Sequence, residues 1–390
     1  MIVKFWNKKV QGDKRHTPIS KEFSIVISFR HLGDDFNVMN SIAGLLNVKL
    51  KTLFDLDITS FRFLGKIFLK IYKNSNSKFV KEGIILLLPR FVKLPSDGII
   101  IFSTSGELVP KGNNIVPYIH TPIRAFSDYY DEYKKSLRQR NILLFIIFPL
   151  LKFIYNQWYK YALGRTYVRF VNSETTRERM MRYYSLPAIV LNPFIDTDSF
   201  HSESYSKYFL SVSRFERAKN FNFLINAFER FKKQKEYGLI IAGQVVHPHQ
   251  KEYYDELKEY VEKRNLNVTL IANPNEKEIK KLYSNAFCFL FSAIREDFGM
   301  VLLEAMSSEK AVISINSGGP TEILNDGVNG FLVNNEQEMA DKMDYLSSNE
   351  KLAVTMGINA RKTVIERYSA ANFKQKLYNS LGIKDADGKI

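Results

Sequence analysis

A single cysteine, Cys288, in 390 residues means that no disulfide can form within the chain, and no Cys/His cluster offers a structural zinc site. Cys288 sits in the apolar run Phe287 to Phe291, which marks it as a buried structural thiol. No internal repeat or low-complexity tract interrupts the chain. Its 45% hydrophobic and 14% aromatic content is globular rather than disordered. Met1 to Lys14 is polar and basic without an apolar core, so it does not resemble a secretory signal, and a cytoplasmic protein is expected. No uninterrupted apolar run reaches the roughly 20 residues that a membrane-spanning helix needs.

Acidic residues are short in one half only. Residues 1 to 200 hold 30 Lys and Arg against 16 Asp and Glu, whereas residues 201 to 390 hold 26 against 25, so nearly all of the net charge of +15 belongs to the first half. A phosphate-bearing substrate, an anionic membrane or nucleic acid could explain that excess. Nucleic acid is the weakest of these, because the basic residues are scattered and no recognition module is present. The length suits two domains with a core each. The polar segment 198–206 is the expected linker, giving domains at 1–200 and 201–368 and a crossing helix and tail at 369–390.

Apolar runs at 23–29, 84–88, 98–102, 115–119, 207–213, 237–242, 267–272 and 310–315 read as parallel strands. They do not alternate because helices would cover both faces. The run at 286–292 is another, and it leads through Glu296 and Gly299 into an amphipathic helix that carries Glu304. A strand-to-helix corner in an α/β domain is where ligands sit, since the first helix amides are unpaired and the dipole favours an anion. Two carboxylates beside such a corner suit a ligand with both a diphosphate and hydroxyl groups. The bland alternative is a capped helix with Glu304 on its solvated face.

Arg214 ends the strand at 207–213 and Lys219 lies just before the next helix, so both cations can reach an anion at that crevice. In the first half, the strand 115–119 delivers His120 at its carboxyl end, and Pro122 breaks the chain there. A capping or core histidine is the competing reading. Asp55 and Asp57 have the spacing of a divalent metal pair without the rest of a metal site. His247 and His249 lack a third ligand, so no metal site is assigned.

Between Asn141 and Tyr155 the chain is strongly apolar, with Pro149 inside and Lys152 soon after. A core helix kinked at Pro149 is one reading. The flanking Lys134, Lys135, Arg138, Arg140, Lys160 and Arg165 suit the other, a helix lying in the interface of an anionic membrane.

The spacing of Glu296, Phe298, Gly299 and Glu304, the pair Arg214 and Lys219, and Tyr118-Ile-His120-Thr-Pro122-Ile-Arg124 together resemble the retaining glycosyltransferases of family 4. The likeness is best from 207 to 333 and poor from 30 to 110. It implies the GT-B fold, two facing Rossmann-like parallel-sheet α/β domains with a cleft between them, and transfer of a hexose from a nucleoside diphosphate sugar. It further implies that Glu296 holds sugar hydroxyls, Glu304 the ribose, Arg214 and Lys219 the diphosphate, and that His120 lies against the sugar. By the same resemblance Phe298, Gly299 and Met300 are expected to line the donor site, and Gly33 to stand for the glycine-rich loop that approaches the donor phosphates. Gly33 is single where a pair is usual, and Gly243 likewise. The motif at His120 is common among mannosyltransferases, which favours GDP-mannose over UDP-glucose. The expected acceptor is a lipid-linked or glycan molecule at the inner face of the membrane. A non-catalytic nucleotide-sugar or membrane-binding protein, and a sugar epimerase or phosphorylase, remain alternatives.

Overall fold

The computed structural model describes residues 23–28, 34–52, 60–75, 77–94, 96 and 98–383. It divides into two units, one of residues 1–192 with 374–390 and one of residues 193–373. The division falls short of the linker expected at 198–206. The reason lies in packing, because residues 193–200 are already tied to the second unit. Ile195 N–H donates to the Tyr368 carbonyl at 3.1 Å, Phe194 packs on Phe373 with centroids 4.9 Å apart, and the Arg361 guanidinium donates to the carbonyls of Phe200 and Thr197.

The first unit is built on six parallel strands: β1 (Phe23–Ser28), β2 (Lys49–Thr52), β3 (Ile99–Thr104), β4 (Ile115–Ile119), β5 (Phe170–Val171) and β6 (Ile189–Val190). Their order is β2-β1-β3-β4-β5-β6. The connecting helices are α1 (Asp34–Leu45), α2 (Phe63–Asn74), α3 (Lys78–Leu87), α4 (Tyr130–Arg140), α5 (Ile142–Gly164) and α6 (Glu174–Tyr184). The core of β3, β4 and β5 is filled from one side by Tyr155, Tyr159, Leu163, Met180 and Tyr184 of α5 and α6.

The expected strand at 84–88 is instead the end of α3 and a 3-10 turn, Leu88–Phe91. A short apolar run is compatible with either element. Here Ser77 caps the segment by accepting from Val80 N–H at 3.4 Å, and the helix and turn pack Ile84 and Leu88 against Phe61 and Val92. The apolar stretch from Asn141 is also longer than its composition suggested. Asn141 caps α5 through a bond from Leu144 N–H at 3.0 Å, and the helix runs 23 residues through Pro149. By length and composition it could cross a membrane. It is only in part a core helix, since Phe148, Tyr155, Tyr159, Ala162 and Leu163 are buried while Leu143, Ile146, Leu150 and Phe153 are exposed.

The second unit has the parallel strands β7 (Tyr208–Val212), β8 (Gly238–Gly243), β9 (Val268–Ala272), β10 (Cys288–Phe291), β11 (Ala311–Ile315) and β12 (Gly330–Val333), in the order β12-β11-β10-β7-β8-β9. Its helices are α7 (Phe221–Arg230), α8 (Pro248–Arg264), α9 (Glu276–Asn285), α10 (Met300–Ser307), α11 (Pro320–Ile323), α12 (Glu336–Ser348) and α13 (Glu350–Arg367). α7 buries Phe221, Leu224, Ile225 and Phe228, the face that the sequence spacing marked. Each such side chain contributes about 1.5–3 kcal/mol when fully withdrawn from water. Cys288 is buried in β10, where its thiol donates to the Ala311 carbonyl at 3.1 Å. A last helix, α14 (Ala370–Leu381), starts in the second unit, and from Lys374 its residues belong to the first. Tyr378 stacks there on Phe23 of β1, with centroids 5.8 Å apart.

Candidate functional site

The strand order of the second unit reverses direction between β7 and β10. The connections leaving these two neighbours go to opposite faces of the sheet, which opens a crevice at their carboxyl ends. The segments that leave them are Ser213 to Asn220 and Ser292 to Gly299, which hold five of the residues singled out from the sequence: Arg214, Lys219, Glu296, Phe298 and Gly299.

The structure joins Lys219 to Glu296. The ammonium lies 2.7 Å from Glu296 Oε2, and both side chains are largely shielded from solvent, 12% and 23% exposed. Partial burial raises the worth of the pair above that of a surface ion pair. Two further bonds fix the loops that carry it. Ser292 Oγ donates to the Lys219 carbonyl at 2.7 Å, and Gly319 N–H donates to the Glu296 carbonyl at 2.8 Å.

At the pair Gly318–Gly319 the lack of a side chain lets two backbones come close. The close approach it permits is to the Glu296 loop itself. A Cβ on Gly319 would lie 2.3 Å from the Phe298 carbonyl oxygen, and one on Gly318 would lie 2.3 Å from that of Glu296. Gly299 has φ of 100°, a left-handed geometry that glycine adopts without strain, and it turns the chain into α10. Phe298 is buried against Tyr368 with ring centroids 5.7 Å apart. It supports the corner from below.

Arg214 is drawn to Glu216, at 3.1 Å, and remains about half exposed. Glu216 also accepts from Gln250 Nε2 at 3.1 Å. Glu304, one turn into α10 beyond Met300, accepts from the Tyr283 hydroxyl at 2.8 Å. The solvated-face alternative for Glu304 therefore gives way to a positioned carboxylate. Tyr283 and Ser292 were not found in the sequence, because their partners are 21 and 73 residues away.

In the first unit, His120 follows β4 and is buried. Its Nε2 lies 3.1 Å from Ser103 Oγ, its ring meets the Tyr118 ring edge-on at 5.1 Å, and its carbonyl accepts from Thr176 Oγ1 at 3.2 Å. Arg124 forms an ion pair with Asp128 at 2.9 Å, and Arg179 joins the same carboxylate at 3.3 Å. These two guanidiniums hold Asp128 below the usual carboxylate range despite its burial, which acts the other way. Gly33, Asp55 and Asp57 lie outside the described residues. His247 and His249 stack 5.6 Å apart at the start of α8, where Gln250 Oε1 accepts from the amides of Val246 and His247. Among the described residues, no three His, Cys, Asp or Glu side chains gather as a metal site would require.

Residues 195–363 match the family model described as glycosyl transferases group 1. The human alpha-1,3/1,6-mannosyltransferase ALG2 is 28% identical over 287 residues, which cover 63% of this chain and 68% of that protein. ALG2 of Dictyostelium discoideum is 31% identical over 189 residues, 44% of each chain. Among solved structures, sucrose-phosphate synthase from Thermosynechococcus elongatus aligns with a TM-score of 0.66 at 16% identity, over 93% of this chain and 99% of that one. Anabaena Alr3699/HepE in complex with UDP and glucose aligns with a TM-score of 0.63 at 16% identity, over 93% and 100%. The structures share the fold, and both sequence relatives carry the name of a mannosyltransferase. The chain is a glycosyltransferase with the two Rossmann-like domains of the GT-B fold.

Proposed function

We propose that this protein is a retaining glycosyltransferase of family 4 that moves a hexose, with mannose from GDP-mannose preferred over glucose from UDP-glucose, to a lipid-linked or glycan acceptor at the inner membrane surface. The observation that carries the proposal is the Lys219–Glu296 pair at the reversal point of the second sheet, beside the start of α10. Lys219 and the more exposed Arg214 supply positive charge for a leaving diphosphate, an electrostatic role that needs no metal. Glu296, Glu304 and the segment Phe298 to Met300 receive the sugar and ribose hydroxyls. Two relatives with mannosyltransferase in their names support the choice of sugar.

In the transfer step the bond from the sugar C1 to the diphosphate oxygen breaks, and a bond from C1 to the acceptor oxygen forms on the same face. The acceptor proton passes to the departing phosphate. Charge accumulates on that phosphate as the bond lengthens, so a pre-placed ammonium lowers the barrier. His120 enters the proposal on the motif around it. Its bond to Ser103 would hold the imidazole in one orientation.

The test is transfer and hydrolysis across a panel of nucleotide sugars, with membrane extract as acceptor. GDP-mannose turnover that Glu296→Ala and Lys219→Ala both abolish is the expected result. Tight binding of every donor without turnover of any would overturn the assignment.

A further inference from the structure

The exposed side of α5 ends at a group of cations that the transfer chemistry does not use. Leu143, Ile147, Leu150, Ile154 and Trp158 are all exposed, at spacings of three and four residues, so they form one stripe along the helix. An exposed apolar surface of this extent on a folded domain marks an interaction site. At the carboxyl end of the stripe stands Tyr161, and two guanidiniums share its ring. Arg165 Nη1 donates to the Tyr161 hydroxyl at 2.9 Å with its Cζ 5.4 Å from the ring centroid, and Arg90 Cζ lies 5.8 Å from the same centroid.

With Lys111, Asn113 and Thr166 these residues line a cavity of about 230 Å³. Asn113 comes just before β4 and Thr166 before β5, so the cavity opens at the amino ends of the strands, the opposite edge of the sheet from His120. Burial lowers the pKa of Arg90, Tyr161 opposes that, and Arg165 and Arg62 lower it further. Two further guanidiniums beside Arg90 make an arrangement that an anion would relieve. Arg62, whose charge reaches Arg90, stands at the start of a second helix with an exposed apolar face. Its amide donates to the Phe91 carbonyl at 2.8 Å, and it leads into α2, where Phe63, Leu64, Ile67 and Ile71 are exposed.

We infer that the cavity of Arg90, Lys111 and Arg165 receives the phosphate of an anionic membrane lipid, with the α5 stripe and the exposed face of α2 in the apolar layer beside it. The inference rests on the membrane-surface part of the proposed function and extends it to a headgroup and the side chains that meet it. A soluble phosphate ester would use the cations and leave both apolar faces in water. A bilayer uses all three features. Lys134, Lys135 and Lys160 near the stripe have the same preference for an anionic surface.

The experiment is sedimentation of the full chain with vesicles of phosphatidylcholine alone and of phosphatidylcholine mixed with phosphatidylglycerol. The variants are Lys111→Ala/Arg165→Ala and Leu143→Ser/Leu150→Ser, all at exposed positions. Arg90 is spared because its Nη1 donates to the Val109 carbonyl at 3.1 Å. A basic residue near an anionic surface strengthens binding roughly fivefold, so the double alanine variant should bind mixed vesicles about 25-fold more weakly. On neutral vesicles it should match the unaltered protein, and the double serine variant should lose binding to both. Unchanged binding of the double alanine variant to mixed vesicles would overturn the assignment. So would a calorimetric loss of glycerol phosphate binding with no change on vesicles, which would mean a soluble ligand. No binding of the unaltered protein to either vesicle would overturn the pocket and the membrane reading together. Mannose transfer to a water-soluble acceptor, measured in parallel, tests the enzymatic reading separately and should be the same for all three proteins.

Discussion

Lys219 and Glu296, 77 positions apart in the chain, meet with Nζ 2.7 Å from Oε2. Substituting either one removes this ion pair from a place largely shielded from solvent. Lys219→Ala and Glu296→Gln should each lower kcat by about 10²–10³-fold, the range seen when one pre-placed electrostatic group is lost. Because they act as a unit, the double variant should be little worse than the poorer single one. Multiplicative losses in steady-state kinetics would show that the two act independently.

Gly319→Ala places a methyl group where 2.3 Å separates it from the Phe298 carbonyl oxygen. The Glu296 loop must then move, or the helix that starts at Pro320 must. A destabilisation of about 1–3 kcal/mol is expected from such overpacking. Activity should fall further than stability explains, because the Gly319 amide that holds the Glu296 carbonyl is displaced with it. Denaturant unfolding and initial rates on one preparation separate the two effects.

Tyr283 touches Glu304 through its hydroxyl and is otherwise buried. If Glu304 binds the ribose, Tyr283→Phe removes one of the bonds that hold that carboxylate without altering the reacting atoms. The donor KM should rise several-fold while kcat stays near its original value, the pattern of lost uniform binding. A drop in kcat at constant KM would assign Glu304 to the chemical step instead.

Lys310 is buried in the second unit, where its ammonium donates to Ser202 Oγ at 2.8 Å and the Ser204 carbonyl at 2.7 Å and lies 3.9 Å from the centre of the Tyr205 ring. Burial pulls its pKa down from 10.5 to about 8. Between those values the unfolded chain holds a proton that the folded chain has released, so this group makes stability rise with pH across the window and contributes no slope below it. The stability of the unaltered protein relative to Lys310→Met should therefore increase from about pH 8 to about pH 10. Urea unfolding at several pH values checks this, and a constant difference would mean that Lys310 titrates normally.

Where both faces of a strand are covered by helices, its sequence is a continuous apolar run, and the runs that became β3, β4, β7, β8, β10 and β11 were legible for that reason. The same logic misplaced 84–88, since a buried helix end offers an equally unbroken run. β2 was invisible because Lys-Leu-Lys-Thr at a sheet edge alternates polar with apolar side chains and has little to bury. Of the site, the acidic and basic residues could be read because charges near a strand end have few structural uses. Ser292 and Tyr283 could not, since a serine or tyrosine is common anywhere and its role depends on which distant carbonyl or carboxylate the fold brings to it.

The return of α14 to the first unit has a consequence for how the chain is made. Residues 193–373 form one continuous stretch, so the second unit can close as soon as that stretch has left the ribosome. The first unit is translated earlier, yet Phe23 finds the Tyr378 ring only once the chain has been made as far as that residue. At about 5–20 residues per second, β1 waits on the order of tens of seconds for the residues that complete its packing. During that interval, an incompletely packed first unit with its exposed apolar helices is the state that chaperones would meet.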